Sequence, residues 1–347
     1  MKRIVGILII VLVLYGYLMV RAPRARTMQN HQRIAERLAL YGVMTLGAGV
    51  LIISGGIDLS IGSVVALSGI SLGLLLNQQV SQPLAVLVVL LMAVLIGLFH
   101  GVLVTWLRLQ PFIVTLCGLF IYRGLAYFVA LPDPLAAVRA LVRYLSFDLL
   151  YGNSPSQIGS AGNIGIGERS KDLGDLIFLS TGYSDVFPFS VLPMRFWLML
   201  GIAGLVALLL HWSIYGRYLF AIGANEQAAR YAGIATNRYK IMAYVLCAVL
   251  AAVAGMLEML ELQTMSPSNT GNWYELYAIT GAVLGGCSLR GGEGTVIGML
   301  LGTAVLPLLR NLINFSSIPE DLTFTVIGVA LLLGTIADEM LKRRAKK

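Results

Sequence analysis

The chain has 347 residues, of which 58% are hydrophobic before its 38 glycines are counted, while only 12% are charged. Ordinary soluble chains carry about 25% charged residues, so this sequence cannot clothe a water-facing surface and reads as an integral membrane protein. Its make-up excludes a cytosolic enzyme, a disordered scaffold and a disulfide-stapled secreted domain; a net charge of +8 with no single basic patch excludes a nucleic-acid binder.

About ten apolar runs are long enough to cross a hydrocarbon core of about 30 Å, at approximately 4–20, 40–57, 61–76, 84–107, 112–130, 193–214, 241–262, 274–290, 294–312 and 321–338. Helices are expected, because backbone groups in lipid must be satisfied within their own segment and the runs lack the alternation of barrel strands. The fold class is therefore an all-α membrane protein, a polytopic helical bundle of about ten transmembrane helices, with residues 1–347 forming one membrane domain.

Lys2 and Arg3 precede the first run as in a signal peptide, but the stretch from Arg21 to Arg26 offers no small-x-small cleavage site, so an uncleaved anchor is expected. With an even number of spans both termini share one face. The basic tail from Lys342 to Lys347, with Arg217, Arg230, Arg238 and Lys240 of the 215–240 loop, is then expected to be cytosolic. On that count Arg21, Arg24, Arg26, Arg33 and Arg37 fall outside, which calls for an interfacial helix at 28–39 or a different first span.

The string Gly55-Gly56-Ile57-Asp58-Leu59-Ser60-Ile61-Gly62-Ser63 interrupts the apolar region from Leu40 to Leu76. Its glycines weaken a helix, and the oxygens of Asp58, Ser60 and Ser63 can cap a restarted one. A carboxylate there must face a bundle interior, a watery cavity or the interface. Two readings stay open: a broken helix lining a translocation path or gate, and a tight turn with Asp58 as N-cap.

Residues 131–192 depart from the apolar pattern, carrying Pro132, Pro134, Pro155, several acidic residues and a Gly/Ser/Asn-rich passage. They are expected to form an extended extracytosolic loop with a short helix around 135–149. In the 215–240 loop, Asn225 can cap a helix, Glu226 suits its positive start and Gly233 its left-handed stop. Ala228, Ala229, Arg230 and Ala232 complete two turns that a partner subunit could grip, or that merely connect two spans.

Glu258 and Glu261 lie three apart, on one face near the outer end of the seventh span, where they could touch a polar solute or sit at the interface. Arg123 and Arg310 share that ambiguity, and Trp106, Trp197, Trp212 and Trp273 read as interface anchors. The stretch Gly291–Gly298 repeats the Gly-Gly-x4-Ile-Gly frame of Gly55–Gly62, by an old internal repeat or by chance.

There is no Gly-x-x-x-x-Gly-Lys-Ser/Thr phosphate loop and no His-Glu-x-x-His pair. Cys117, Cys247, Cys287, His31, His100 and His211 show no ligand spacing and read as packing residues. The chain is therefore read as a transporter and not an enzyme, with no catalytic residue, cofactor or metal expected.

Three strings together resemble the permease of bacterial ABC monosaccharide importers, the ribose/xylose/galactofuranose type within the branched-chain amino-acid permease superfamily. They are Gly55–Ser63, the passage from Gly216-Arg217-Tyr218 through Ala221–Ile234, and Val283–Gly294. The likeness covers roughly 40–130 and 193–340, whereas 131–192 is longer than the family's loop and matches no counterpart. It implies a type II importer-like permease in the bacterial inner membrane. That permease pairs with a second copy or a related permease, below which sit cytosolic ATPase subunits, while a soluble sugar-binding protein docks outside. By the same resemblance Asn225–Gly233 is the helix that couples to the ATPase, and Gly55, Gly56, Asp58, Ser60, Gly62 and Ser63 shape the path or gate. A permease for a nucleoside or branched-chain amino acid, or an ion-coupled transporter using Asp58 or Glu258, is the alternative.

Overall fold

The computed structural model describes residues 2–132, 162–166, 174–182 and 191–316, with isolated positions between 322 and 332. The helix expected around 135–149, and all but isolated positions of the tenth run, lie outside the described residues.

Helix α1 (Lys2–Arg21) leads into a 3-10 turn at Pro23–Arg26, after which α2 (Met28–Ile53) runs back beside it. The Thr27 side chain accepts from the Asn30 N–H and so satisfies one of the orphan donors at the start of α2. Helix α2 is one continuous rod whose first half is residues 28–39, and α1 is long and apolar enough to cross a membrane. In α2 83% of the most apolar window is buried, against 6% in α1, which makes α2 an axis of the bundle and α1 a peripheral strap.

Then follow α3 (Ile61–Asn77), α4 (Gln82–Thr105) and α5 (Pro111–Val129). Proline stands in the first turn of α4 and of α5, where its missing N–H costs nothing. A short α6 (Gly174–Thr181) precedes α7 (Met194–Ala207), whose last turn widens into a π turn at Leu208–Trp212. After α8 (Ile214–Ala224) and α9 (Glu226–Tyr231) comes α10 (Thr236–Leu262), then α11 (Tyr274–Leu284) and α12 (Val296–Phe315).

Seven of these helices, α7 counted with its π turn, are long and apolar enough to cross a membrane. Helix α3, with 17 residues, matches the expected run at 61–76, whereas α11, with 11, starts where expected but ends at Leu284, short of the expected 290. Residues 54–60 and 266–273 fold back among the helices, so that α3 and α11 start inside the bundle instead of at a surface.

Small residues bring α4 and α10 together: a Cβ on Gly97 or Gly101 would stand 2.4 Å or 2.8 Å from the α10 backbone at Val245 and Ile241. Two ends of the molecule can be told apart. At one, α9 lies near the end of α2 and the 285–295 turn; at the other, α2 begins, α10 ends, and strand β1 (Ile164–Gly165) pairs antiparallel with β2 (Thr264–Met265). Helix α6 packs there on α10, with Ser180 Oγ donating to the Leu257 carbonyl at 2.9 Å. The described part of the long loop thus rests against the bundle.

Candidate functional site

The glycine-rich break after α2 places Asp58 in the interior, 3% exposed. Its Oδ1 accepts from both the Ser60 N–H and the Ser60 hydroxyl at 2.7 Å, an Asx turn that fixes the re-entrant backbone. Its Oδ2 faces His100 Nδ1 at 3.9 Å, and His100 Nε2 shares a hydrogen bond of 3.0 Å with the Tyr122 hydroxyl. The Cys247 thiol lies within hydrogen-bonding reach of the same carboxylate. His100, read from the sequence as a packing residue, thus stands directly opposite Asp58. Position alone could not show this, because 42 residues separate the two.

Asp58 does not cap α3. Ser60 holds the N-cap position, but its side chain makes no cap bond, and Ser63 is buried with Oγ unpartnered among the described residues. The cap comes from a distant helix: the Glu275 carboxylate of α11 accepts from the Gly62 N–H, placing a negative group at the positive end of α3. Gly62 is required there, since a Cβ would stand 2.0 Å from the Gly271 carbonyl oxygen. Arg123 of α5 secures the 266–273 turn, donating to the Pro267 carbonyl at 3.0 Å and the Thr270 carbonyl at 2.5 Å.

Helix α9 has the caps its sequence predicts. Asn225 accepts from the Ala228 N–H at 3.0 Å, and Gly233, at φ +83°, lets its own N–H and that of Ile234 close on the Arg230 and Ala229 carbonyls. Ala229 is buried, while Ala228, Arg230, Ala232 and Gly233 face outward and Tyr231 is 90% exposed. Glu226 binds Arg230 at 3.1 Å and also Lys240, tying α9 to the first turns of α10. Burial alone would raise the Glu226 pKa, but the Lys240 hydrogen bond and the two cations outweigh it and hold the carboxyl below its ordinary value.

Helix α9 is also joined to the buried break. At the end of α8, a Cβ on Gly223 would stand 1.8 Å from the Ile53 carbonyl oxygen and 2.4 Å from the Gly292 nitrogen. The Gly292 N–H in turn donates to the Ile53 carbonyl at 2.9 Å. The two Gly-Gly-x4-Ile-Gly strings each run into the first turn of a helix, α3 and α12, and Gly292 of the second touches Ile53, two residues before the first.

At the opposite end a cavity of about 1060 Å³ opens between α2, α10, α11 and α12. Glu258 is 2% exposed; its Oε1 accepts from the Tyr274 hydroxyl at 2.5 Å, and its Oε2 is unpartnered among the described residues. Arg195, buried on α7, pairs with Glu36 at 3.1 Å and with Glu261, tying α2 to α10. Arg310 donates to the Tyr41 hydroxyl at 3.2 Å, beneath the Tyr274 and Tyr277 rings. Arg33 and Arg37 line this cavity too, so charges that look misplaced in sequence serve an interior surface. Trp273, expected as an interface anchor, stands at this cavity with a left-handed backbone, φ +68°.

Comparison with known proteins agrees with this architecture. Residues 30–335 match the family described as "Branched-chain amino acid transport system / permease component". The chain is 33% identical over 332 residues to the "Ribose import permease protein RbsC" of Escherichia coli K12, covering 95% of this chain and 92% of that protein. It is 30% identical over 343 residues to the "Autoinducer 2 import system permease protein LsrC" of Escherichia coli O9:H4, covering 98% and 88%. A LsrC protein of Yersinia enterocolitica is 29% identical over 335 residues, covering 96% and 82%. No solved structure matches the chain. With its apolar helices and a match along nearly its whole length, this multi-pass inner-membrane protein belongs to the family of branched-chain amino acid transport system permease components.

Proposed function

We propose that the chain is the permease of an ATP-binding-cassette importer that carries a monosaccharide through the membrane by alternating access. Separate cytosolic ATPase subunits grip α9, and a soluble sugar-binding protein delivers solute at the opposite end to a dimer of permeases. The ribose and autoinducer 2 relatives support importer chemistry. The absence of a phosphate loop in the sequence supports a division of labour in which another chain handles the nucleotide.

One observation carries the reading: the backbone contact of Gly223 with Ile53 and Gly292. Through it, a displacement of the exposed, well-capped α9 reaches the end of α2 and then the Asp58 turn, with no flexible linker between. On this reading Asn225, Glu226, Ala228, Ala229, Arg230, Ala232 and Gly233 form the coupling element. Gly55, Gly56, Asp58, Ser60, Gly62 and Ser63 form the inner part of the path or its gate.

The ion-coupled alternative draws on the buried carboxylates Asp58 and Glu258. Proteoliposomes holding the permease, its ATPase and its binding protein separate the two. ATP-dependent uptake that disappears on changing Ala229 to Trp supports the importer; uptake that follows a proton or sodium gradient and ignores ATP overturns it.

A further inference from the structure

The polar cavity opposite α9 has chemistry that neither the family match nor the coupling helix explains. Its floor carries a carboxylate oxygen, Glu258 Oε2, buried and without a hydrogen-bond partner among the described residues. An interior carboxylate oxygen left unsatisfied is costly, which marks it as an acceptor held ready for something that enters. The other two acidic residues of the wall, Glu36 and Glu261, are already engaged by Arg195. The geometry points to Glu258, Arg37 and Arg310 as a recognition site for a neutral, polyhydroxylated ring, with Trp273 as its aromatic platform.

Charge placement decides between ligand classes. An anionic solute drawn to Arg33, Arg37 and Arg310 would be driven against the Glu258 carboxylate, and a cationic one drawn to Glu258 would meet the three guanidinium groups. A neutral polyol suits both sets at once, because each hydroxyl can donate to the carboxylate and accept from a guanidinium. The backbone supplies a further observation. Trp273 has φ +68°, a conformation unfavourable for a bulky side chain, yet it is 55% exposed and lines the cavity. Its ring is thereby placed where it can meet the CH face of a sugar. At about 1060 Å³ the cavity lies at the upper edge of the range of about 300–1,000 Å³ typical of small-ligand clefts, ample for one such ring.

This site rests on the monosaccharide reading for its ligand class but not on ATP coupling, and the experiment keeps the two apart. Full-length permease in nanodiscs, without ATPase or binding protein, is titrated with D-ribose, D-xylose, D-galactose, the anion D-ribonate and the cation D-glucosamine, and binding is read by saturation-transfer NMR. At least one neutral sugar is expected to bind saturably. Glu258→Gln weakens it about tenfold or more, in keeping with loss of a partner in a site built to hydrogen-bond its ligand. Trp273→Ala weakens it severalfold without lowering the melting temperature, which covers the case in which the buried variant misfolds. Ribonate and glucosamine bind less well than the matching neutral sugar. If no neutral sugar saturates, if neither variant changes its affinity, or if ribonate binds tighter, the site is refuted. Intact sugar binding without ATP-driven uptake would instead refute the importer and leave the site standing.

Discussion

Asp58 Oδ2 and His100 Nδ1 face each other across 3.9 Å, both side chains almost fully buried, on elements that meet only through the fold. The separation is too long for a direct hydrogen bond and short enough for strong electrostatic coupling. Asp58→Ala is expected to destabilise the protein by about 1.5–3 kcal/mol through loss of the charge-assisted bonds from Ser60. A double-mutant cycle of Asp58→Asn with His100→Gln should depart from additivity by at least about 0.5 kcal/mol. Thermal unfolding of the wild type, Asp58→Ala and the three proteins of the cycle in one detergent measures both quantities, and strict additivity would show that the pair does not interact.

Gly62→Ala places a methyl group 2.0 Å from the Gly271 carbonyl oxygen, and main chain cannot rotate aside as a flexible side chain can. Overpacking of this kind costs about 1–3 kcal/mol or more, so a lowered melting temperature is expected. Gly124→Ala and Gly201→Ala, where the added carbon meets nothing within 4 Å, serve as controls and should be nearly neutral.

On the proposed reading Gly223→Ala separates stability from coupling. Its methyl group would meet the Ile53 carbonyl oxygen at 1.8 Å, so α8 must lift away from the end of α2. ATP hydrolysis by the partner is expected to continue, while the solute moved per ATP falls at least about tenfold, equivalent to about 1.4 kcal/mol of lost coupling. Parallel ATPase and uptake assays on one proteoliposome preparation test this. A proportional fall in both would argue against a transmitting contact.

Glu226 sets a pH dependence. Its folded-state pKa lies below the ordinary value of 4.5, so its contribution is fully present above that value and is lost as pH falls through the lowered one. The residue is partly exposed, and screening keeps the contribution small. The melting-temperature gap between the wild type and Glu226→Gln should be constant from about pH 6 to 8 and close below about pH 4. A gap that widens in acid would contradict the Lys240 and Arg230 partnership.

Most helices can be placed from the sequence because lipid demands long apolar runs, and α9 because its caps are local: Asn225 and Gly233 act on backbone within a few residues. What could not be placed depends on distant partners. Helix α3 is capped by Glu275, more than two hundred residues away, and nothing near Gly62 signals it. Arg33 and Arg37 violate the usual charge bias because they line an interior cavity, a destination only packing creates. The same holds for His100, whose significance comes from lying opposite Asp58 after α4 has packed. The end of α11 is hidden in the sequence because apolar composition continues across 285–290, where the backbone has already turned.

The first turn of α3 and the 266–273 turn meet where the main chains of Gly62 and Gly271 approach, beside the Glu275 carboxylate. On the proposed reading, a push at one surface can be felt at the other through this close main-chain approach. On that reading the residues around the junction are free to vary with the solute carried, provided neither Gly62 nor Gly271 acquires a side chain.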